Sequence, residues 1–407
     1  MPSTTYHLLT ESEPFSEFLG GAVSRFAANV ARGTSDSVVV CPSADETWGA
    51  APGSIHLLPG MKFYKRFRRY LPHLPWFIHA RVIRTIFRPV VKRLRPGDIV
   101  WIHNRPEFAV ALTVPIHRSG SYVVLHLHNS HLANGPERLM RRVDVDHLVF
   151  ISDFVMEEAR QKFPSLGTCS VIYSGADETI FYPAADGSKN ARPTILFAGR
   201  LVKEKGVHVL LDAMRLLEKQ GVRAEALIVG SSGFGDGTDT HYIRQLKADV
   251  PASVRFCDYR SGAPLGELFR RADIFCSPSV WEEPFGMVNV EALASGLPVV
   301  STRSGGAREI FAGGGGMLVE RGSAVQLADA LRLLIEDPQL RAHLGAQGRA
   351  AFRERFTWST ARIRVGQVQK ALSGIGNAGA QAEPANLDGC RTILSRGTAK
   401  AHAPGCK

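Results

Sequence analysis

Two carboxylates, Glu283 and Glu291, flank the run Pro284-Phe285-Gly286-Met287-Val288-Asn289-Val290. Apolar spacing at Met287, Val290, Leu293 and Ala294 suits one face of a helix, and Ser295-Gly296 followed by Pro298 stops it. Pro284 favours an extended Glu283 and is itself compatible with a first helical turn. Glu283 is therefore expected in the loop before the helix and Glu291 inside it. The N–H groups of Phe285, Gly286, Met287 and Val288 have no intrahelical acceptors, which makes an anion site, and Gly286 lets a ligand come close to the backbone. An anion site between two carboxylates suits a ligand with phosphate in the middle and hydroxyls at both ends. A nucleotide-sugar has that layout, its ribose diol donating to one carboxylate and its sugar hydroxyls to the other. The bland alternative is a solvated Glu283 and a Glu291 on a wet helix face.

Other residues could do chemistry. Arg200 and Lys205 lie in Ala198-Gly199-Arg200-Leu201-Val202-Lys203-Glu204-Lys205-Gly206, between a strand at Thr194–Phe197 and a helix with apolar residues at Val207, Leu210, Leu211, Met214 and Leu217. Arg forks onto phosphate oxygens and Lys supplies a compact charge. Gly20-Gly21 precedes a helical pattern at Val23, Phe26, Ala27 and Val30 that Gly33 would end, a place where backbone N–H groups can meet phosphate. His126 and His128 are two apart in His126-Leu127-His128-Asn129-Ser130-His131 and share a face if their strand continues. Zinc ligation and a plain structural role are both open for them, and no Cys partner or H-x-x-x-H helix supports zinc. Asp144-Val145-Asp146 precedes a strand and is taken as chance, so no metal site is expected.

These residues need a frame. Short strands alternate with helices: Val38–Val40, Ile55–Leu58, Asp98–Ile102, Tyr122–Leu125 and His147–Ile151 in the first half, with helices near 78–94, 106–118 and 153–163. The second half repeats the pattern, with strands at Thr194–Phe197, Ala226–Val229 and Val254–Cys257, helices near 239–249 and 264–271, a turn at Gly313–Gly316, and helices over 322–336 and 338–354. Such alternation implies parallel sheets with helices on both faces, where ligands gather at the strands' carboxyl ends. Ala184–Arg192 reads as a linker, Ser231–Thr238 as a mobile loop, and the chain beyond Gly374 as disordered.

Length and composition set the outer bounds. The 407 residues suffice for two or three domains, and an apolar fraction of 44% with mean hydropathy of -0.04 is ordinary for a soluble protein. No apolar run approaches the ~18–20 residues needed to span a bilayer. Met1–Glu13 lacks the pattern of a secretory signal, and six scattered cysteines without CxxC spacing suit buried free thiols in a reducing cytoplasm. The net charge is +11, and Met61–Gly97 holds eleven Lys or Arg and no Asp or Glu, interleaved with Phe63, Tyr64, Phe67, Tyr70, Trp76, Phe77 and Phe87. Basic and aromatic residues together suit an anionic membrane surface, with a solvated face or a nucleic acid as alternatives; no nucleic-acid motif accompanies them.

The Glu283–Glu291 stretch, with Pro-Phe-Gly after the first glutamate and Glu-Ala-Leu-Ala-Ser-Gly-Leu-Pro-Val-Val from the second, resembles the E-x7-E signature of retaining glycosyltransferases of family four. The G-R-L-x-x-x-K-G loop and Ser301–Glu309 are similar to the same family. The resemblance covers about 15–370 and is densest at 194–310. It implies an α/β GT-B architecture: two Rossmann-like domains with parallel sheets facing each other across a cleft, over 1–184 and 190–356, with a final helix at 357–372 crossing back to the first domain and a tail at 374–407. It implies that Gly20, Gly21, Arg200 and Lys205 face the donor diphosphate, that His128 (His126 as fallback) lies beside the transferred sugar, that Glu283 holds the sugar hydroxyls and that Glu291 holds the ribose diol. Arg200, Lys205 and the helix N–H groups would carry the leaving-group charge without metal or other cofactor. Phe256-Cys257-Asp258 departs from the family's Phe-x-Gly, in a region that commonly contacts the base, so the base is left open.

The expected activity is transfer of a hexose from a UDP-glucose-like or GDP-mannose-like donor to a hydroxyl of an envelope glycan or lipid-linked acceptor. The expected location is the cytoplasm, peripheral at the inner face of the membrane. A nucleotide-sugar 2-epimerase and a non-catalytic nucleotide-sugar-binding scaffold are the competing readings.

Overall fold

A computed structural model describes residues 3–12, 15, 21–32, 36–44, 55–185, 192–233 and 239–378, with side chains to 374. Gly20, Gly33, most of the expected linker, residues 234–238 of the Gly-rich loop, and 379–407 of the tail lie outside the described residues.

The chain builds two parallel sheets. The first has seven strands, β1 (Thr5–Leu8), β2 (Ser37–Cys41), β3 (Ile55–Leu57), β4 (Ile99–His103), β5 (Tyr122–Leu127), β6 (His147–Phe150) and β7 (Cys169–Val171), in the order 3-2-1-4-5-6-7. The second has six, β8 (Thr194–Ala198), β9 (Glu225–Val229), β10 (Val254–Cys257), β11 (Ile274–Ser277), β12 (Val299–Thr302) and β13 (Gly316–Val319), in the order 10-9-8-11-12-13. The expected GT-B-like fold of two parallel-sheet α/β units is the fold observed.

Alternation along the strands explains why both faces need helices. In β4, Val100 and Ile102 join the core shared with the Gly60–Tyr70, Trp76–Val91 and Pro106–His117 helices. Ile99 and Trp101 point the other way, onto Phe26 and Val30 of the Ala22–Ala31 helix and onto Trp358, Val365 and Leu372 of the Trp358–Ala378 helix. The last helix thus packs on the first sheet, and it runs past Gly374, where the sequence reading places disorder.

Three elements depart from expectation. No strand is expected before Val38, yet β1 is an interior strand of the first sheet, between β2 and β4; Thr-Tyr-His-Leu shows no continuous aliphatic run, and burial from both faces rather than its own pattern holds it. The Gly60–Tyr70 helix forms inside the basic stretch. Gly316 opens β13 instead of closing a turn.

Each sheet reverses its strand order at one point, between β1 and β4 and between β8 and β11. Loops leaving adjacent strands there diverge to opposite sides, so a crevice opens at their carboxyl ends.

Candidate active site

The second crevice collects the loops after β8 and β11. The first loop turns through Lys203–Lys205 and ends at Gly206, whose φ of 70° favours glycine. A Cβ there would lie 1.9 Å from the Pro278 carbonyl oxygen, so only glycine permits this approach. The Val280 N–H donates to the Glu204 oxygen at 2.8 Å, joining the loops by backbone. The result brings Lys205 Nζ to 2.5 Å from Glu283 Oε1, with Ser279 Oγ donating to Glu283 Oε2 at 2.9 Å. Burial opposes ionisation of Glu283, but the Lys205 charge and these hydrogen bonds outweigh it and hold the carboxyl below its ordinary value.

Ser301–Glu309 lies over this loop. Gly306 N–H donates to the Glu283 oxygen at 2.9 Å, and a Cβ on Gly305 would meet that same oxygen at 1.9 Å. Beyond Glu283, Gly286 takes φ 98° and starts the Met287–Ala294 helix. Met287 and Val288 open its first turn, so no preceding helical carbonyl reaches their N–H groups. The Phe285 side chain is buried instead, stacking on Tyr173 at 5.5 Å, and only its backbone belongs to the site.

Glu291 is inside that helix and 1% exposed. It lines a cavity of about 200 Å³ whose wall also includes Arg200, Met287 and Val288 from the second unit and Arg25 from the first. Arg200 is exposed at this wall. Arg25 Nη1 donates to Glu291 Oε1 at 2.7 Å. Burial raises the Glu291 carboxyl above its usual value, with Arg25 pulling the other way. Sequence reasoning missed Arg25. Its only signal was its place one turn after Gly21, which caps the Ala22–Ala31 helix in extended conformation. Glu291 is thus buried and Glu283 half-buried, and each meets a cation. Lys205, expected to face the donor diphosphate, pairs with Glu283 here.

The first crevice holds histidines. His128 follows β5; its Nε2 is 3.1 Å from His103 Nδ1, at the end of β4. His103 Nε2 is 3.1 Å from Nδ1 of His7, on β1. His126 lies against His128, ring centres 3.9 Å apart, and among the described residues finds no partner for either ring nitrogen. Burial pushes His128 down to about 3, His7 to about 4, and His103 and His126 well below the ordinary value, so all four rings are neutral near pH 7. Asn104 holds the geometry: at φ 56° it donates its N–H to the His126 oxygen and accepts from the His128 N–H, each at 2.8 Å. Nitrogens of His103, His126 and His128 lie within 4.8 Å of one another, a spacing that suits a cation. A cation there would have to displace a hydrogen bond, because His103 already engages both nitrogens. Asp146 is structural, its carboxylate binding Val123 N–H at 2.7 Å and His117 Nε2 at 2.8 Å.

The two units touch beside the site. Ser152 Oγ donates to the Pro284 oxygen at 2.6 Å. The Glu309 carboxylate accepts from Asp153 N–H at 2.8 Å and Phe154 N–H at 3.2 Å, and Tyr173 OH lies 2.9 Å from Asp153 Oδ2 and 3.0 Å from Glu309 Oε2. Cys41 and Cys276 are buried as expected; Cys169 and Cys257 are only half-buried.

The chain is similar to known proteins in sequence and in fold. Residues 179–351 match the family described as glycosyl transferases group 1. A GDP-mannose-dependent monoacylated alpha-(1-6)-phosphatidylinositol monomannoside mannosyltransferase of Corynebacterium glutamicum is 30% identical over 288 residues, 65% of this chain and 74% of that one. Spore coat protein SA of Bacillus subtilis is 26% identical over 284 residues, 64% of this chain and 75% of its own. Among solved structures, Anabaena HepE in complex with UDP and glucose superposes with a TM-score of 0.69 at 21% identity, covering 91% of this chain and 100% of that one. Sucrose-phosphate synthase from Thermosynechococcus elongatus gives a TM-score of 0.72 at 19% identity, with 92% and 100% covered. These structural likenesses concern the fold. The relatives' sequences go further, and together with the family match they place this chain in the glycosyl transferases group 1 family, as a glycosyltransferase.

Proposed function

We propose that the protein is a retaining, metal-independent hexosyltransferase that uses a nucleotide-sugar, UDP-glucose-like or GDP-mannose-like, and an envelope glycan or lipid-linked acceptor. The observation that carries this reading is the Lys205–Glu283 pair beside the first turn of the Met287–Ala294 helix, next to a cavity that both units wall and that Glu291 lines. The nucleotide ribose binds Glu291, and its diphosphate lies against Arg200, Lys205, the Met287 and Val288 N–H groups and the glycines Gly20 and Gly21. The sugar hydroxyls bind Glu283, which Lys205 and Ser279 keep ionised, and His128 stands beside the sugar as a neutral ring. As the bond from the anomeric carbon to phosphate oxygen breaks, negative charge grows on the diphosphate and positive charge on the sugar. Fixed cations and amide dipoles stabilise the former without reorganising. The acceptor oxygen bonds to the anomeric carbon on the face the diphosphate leaves, and its proton passes to the departing phosphate oxygen.

The mannosyltransferase relative and the UDP-bound neighbour support a nucleotide-sugar donor. A peripheral place on the inner membrane face is supported by the Gly60–Tyr70 and Trp76–Val91 helices. They expose Phe63, Tyr70 and Phe77 among Lys62, Lys65, Arg66 and Arg69, while Tyr64 and Phe87 pack inward. No helix of the described residues is long and apolar enough to cross a membrane.

Incubating the protein with UDP-glucose or GDP-mannose and extracted lipid-linked glycans tests the reading. Acceptor-dependent release of nucleoside diphosphate, with the anomeric configuration kept in the product, is expected. Donor conversion without acceptor would point to an epimerase, and binding without release under every acceptor would point to a scaffold.

A further inference from the structure

The first unit holds a second cavity, of about 450 Å³, that shares no lining residue with the one Glu291 lines. Arg105 and Glu107 reach it from the carboxyl end of β4 and His131 from beyond β5, the end at which the first crevice opens. Tyr64 and Arg68 reach it from the Gly60–Tyr70 helix, where a spacing of four puts them on one face. Asn104, the residue before Arg105, accepts from the His128 N–H at 2.8 Å, so one residue separates this cavity from the His128 loop.

The charges at this cavity balance. Arg105 forks onto Glu11, Nε to Oε2 at 2.6 Å and Nη2 to Oε1 at 3.1 Å, and Arg68 Nη2 meets Glu11 Oε1 at 2.9 Å. The Glu11 side chain is 0% exposed, so both arginines are engaged with a carboxylate that no ligand can touch. Glu107 differs. Its side chain is 16% exposed, and its contacts to the same two arginines are long, 3.4 Å to Arg68 and 4.0 Å to Arg105. Burial raises its carboxyl above the ordinary value, with Arg105 and Arg68 pulling back, which makes it a stronger hydrogen-bond acceptor than a solvated glutamate. Partial burial and the two arginines lower the His131 ring to about 4, so it adds no charge near pH 7. Two guanidiniums against two carboxylates leave no surplus positive charge for a phosphate, and the accessible carboxylate repels one. A hydroxyl donates to that carboxylate instead. Much of the remaining wall is aromatic. Half-buried Trp76 stacks on buried His79, ring centres 6.5 Å apart and planes at 7°, and His79 Nε2 has no partner among the described residues, which calls for a polar guest at this wall. Apolar walls with a few placed polar groups are the common form of a small-molecule site.

The reading above gives the enzyme a glycan or lipid-linked acceptor; on that basis we propose that this cavity receives an uncharged hexose head group of the acceptor. Its hydroxyls donate to Glu107 and accept from exposed Arg68, and the C–H face of its ring lies on Trp76. Phosphorylated head groups are turned away. The helix that offers Tyr64 and Arg68 to the cavity exposes Phe63, Lys65, Arg66 and Tyr70 elsewhere on its surface, so a head group seated here leaves any lipid that carries it beside the basic, aromatic face.

The test is saturation-transfer NMR and calorimetry of the whole chain with methyl and octyl glycosides of glucose, mannose and galactose, the octyl compounds kept below micelle formation, and with the 6-phosphates of the same sugars. At least one methyl hexoside should bind wild type, and its 6-phosphate should bind about tenfold more weakly or worse. Glu107→Gln should weaken the hexoside about tenfold, the loss of a hydrogen bond to a charged group, and should narrow the gap to the phosphate, which a merely structural glutamate would not do. Trp76→Leu, outside the ion-pair network, is the second variant should the first fail to fold, and it too should weaken the hexoside. UDP and GDP should bind both variants as they bind wild type. An octyl chain that tightens binding assigns the head group to a lipid-linked source, and one that adds nothing assigns it to a free glycan; both keep the cavity a sugar site. No hexoside bound by wild type, equal hexoside affinity in wild type and the variants, or a phosphate bound more tightly than its hexoside overturns the proposal. Turnover plays no part in this readout, so failure of the transfer reaction and failure of this site are separate results.

Discussion

Arg25 Nη1 and Glu291 Oε1 meet at 2.7 Å across the cleft, one from each unit. Glu291 is nearly fully buried, whereas the Arg25 side chain is 37% exposed, so the arginine can withdraw and the carboxylate cannot. Arg25→Ala leaves a buried charge uncompensated and should cost about 1–3 kcal/mol of stability, read as a lower denaturant midpoint. An unchanged midpoint would show that the pair is idle. Glu291→Ala should weaken nucleoside diphosphate binding at least about tenfold, since a hydrogen bond to a charged group is worth about 1.5–3 kcal/mol; equal affinity by calorimetry would remove the ribose role.

Lys205 and Glu283 act as one unit in the second crevice. Arg200→Ala and Lys205→Ala should each raise the barrier to transfer by about 2–4 kcal/mol, seen as a fall in kcat. Turnover within about threefold of wild type, a loss of only ~0.7 kcal/mol, would contradict the leaving-group role.

Gly206 makes that unit possible. Gly206→Ala puts a Cβ against the Pro278 carbonyl at a positive φ, which should cost at least about 2 kcal/mol and separate Lys205 from Glu283. The corresponding control is Gly221→Ala, also at positive φ but with nothing within 4 Å of the added atom; it should cost clearly less. Equal costs would mean that the loop contact does not matter.

The tie between units is pH-sensitive. Burial, aided by Asp153, pushes the Glu309 carboxyl up to about 7, against the two backbone N–H groups that favour its ionised form. Its folded value lies above its unfolded one, so the folded chain holds a proton that the unfolded chain releases, and stability falls as pH rises from about 4.5 to about 7. The Tm of wild type relative to Glu309→Gln should therefore drop across that window and level off above it. The buried histidines act oppositely, removing stability as pH falls below their ordinary value, which is why the difference between the two proteins is the proper readout. A difference that stays flat with pH would refute the assignment.

The basic, aromatic face should bind vesicles. Flotation with anionic lipid should carry the protein upward at low salt and less so at high salt, and Phe63→Ser with Phe77→Ser should reduce it. Binding indifferent to salt and to these changes would leave the face merely solvated.

Much of the site was legible because its logic is local. Pro284, Gly286 and the apolar spacing to Leu293 fix a loop, a turn and a helix within one stretch, and those place Glu283 and Glu291 without knowledge of the rest. Lys205 stood out through a second local pattern, a strand, a cationic loop and Gly206, but its pairing with Glu283 did not, because that needs the loops after β8 and β11 brought together. Arg25 was not legible, because its meaning lies in the meeting of two units far apart in the chain. His7 and β1 were hidden for a related reason: an interior strand of a parallel sheet is specified by its neighbours, and Thr5–Leu8 shows no periodicity of its own. The histidine string needs β1, β4 and β5 side by side, and only the sheet order supplies that.

Calorimetric titration of UDP and GDP into wild type, Arg200→Ala and Lys205→Ala bears most directly on where the diphosphate lies. One of the two nucleotides should bind wild type without added metal and should bind each variant about ten- to a hundredfold more weakly, the loss of one charged hydrogen bond. Affinity equal in all three proteins, or binding that appears only with a divalent cation, would contradict the account.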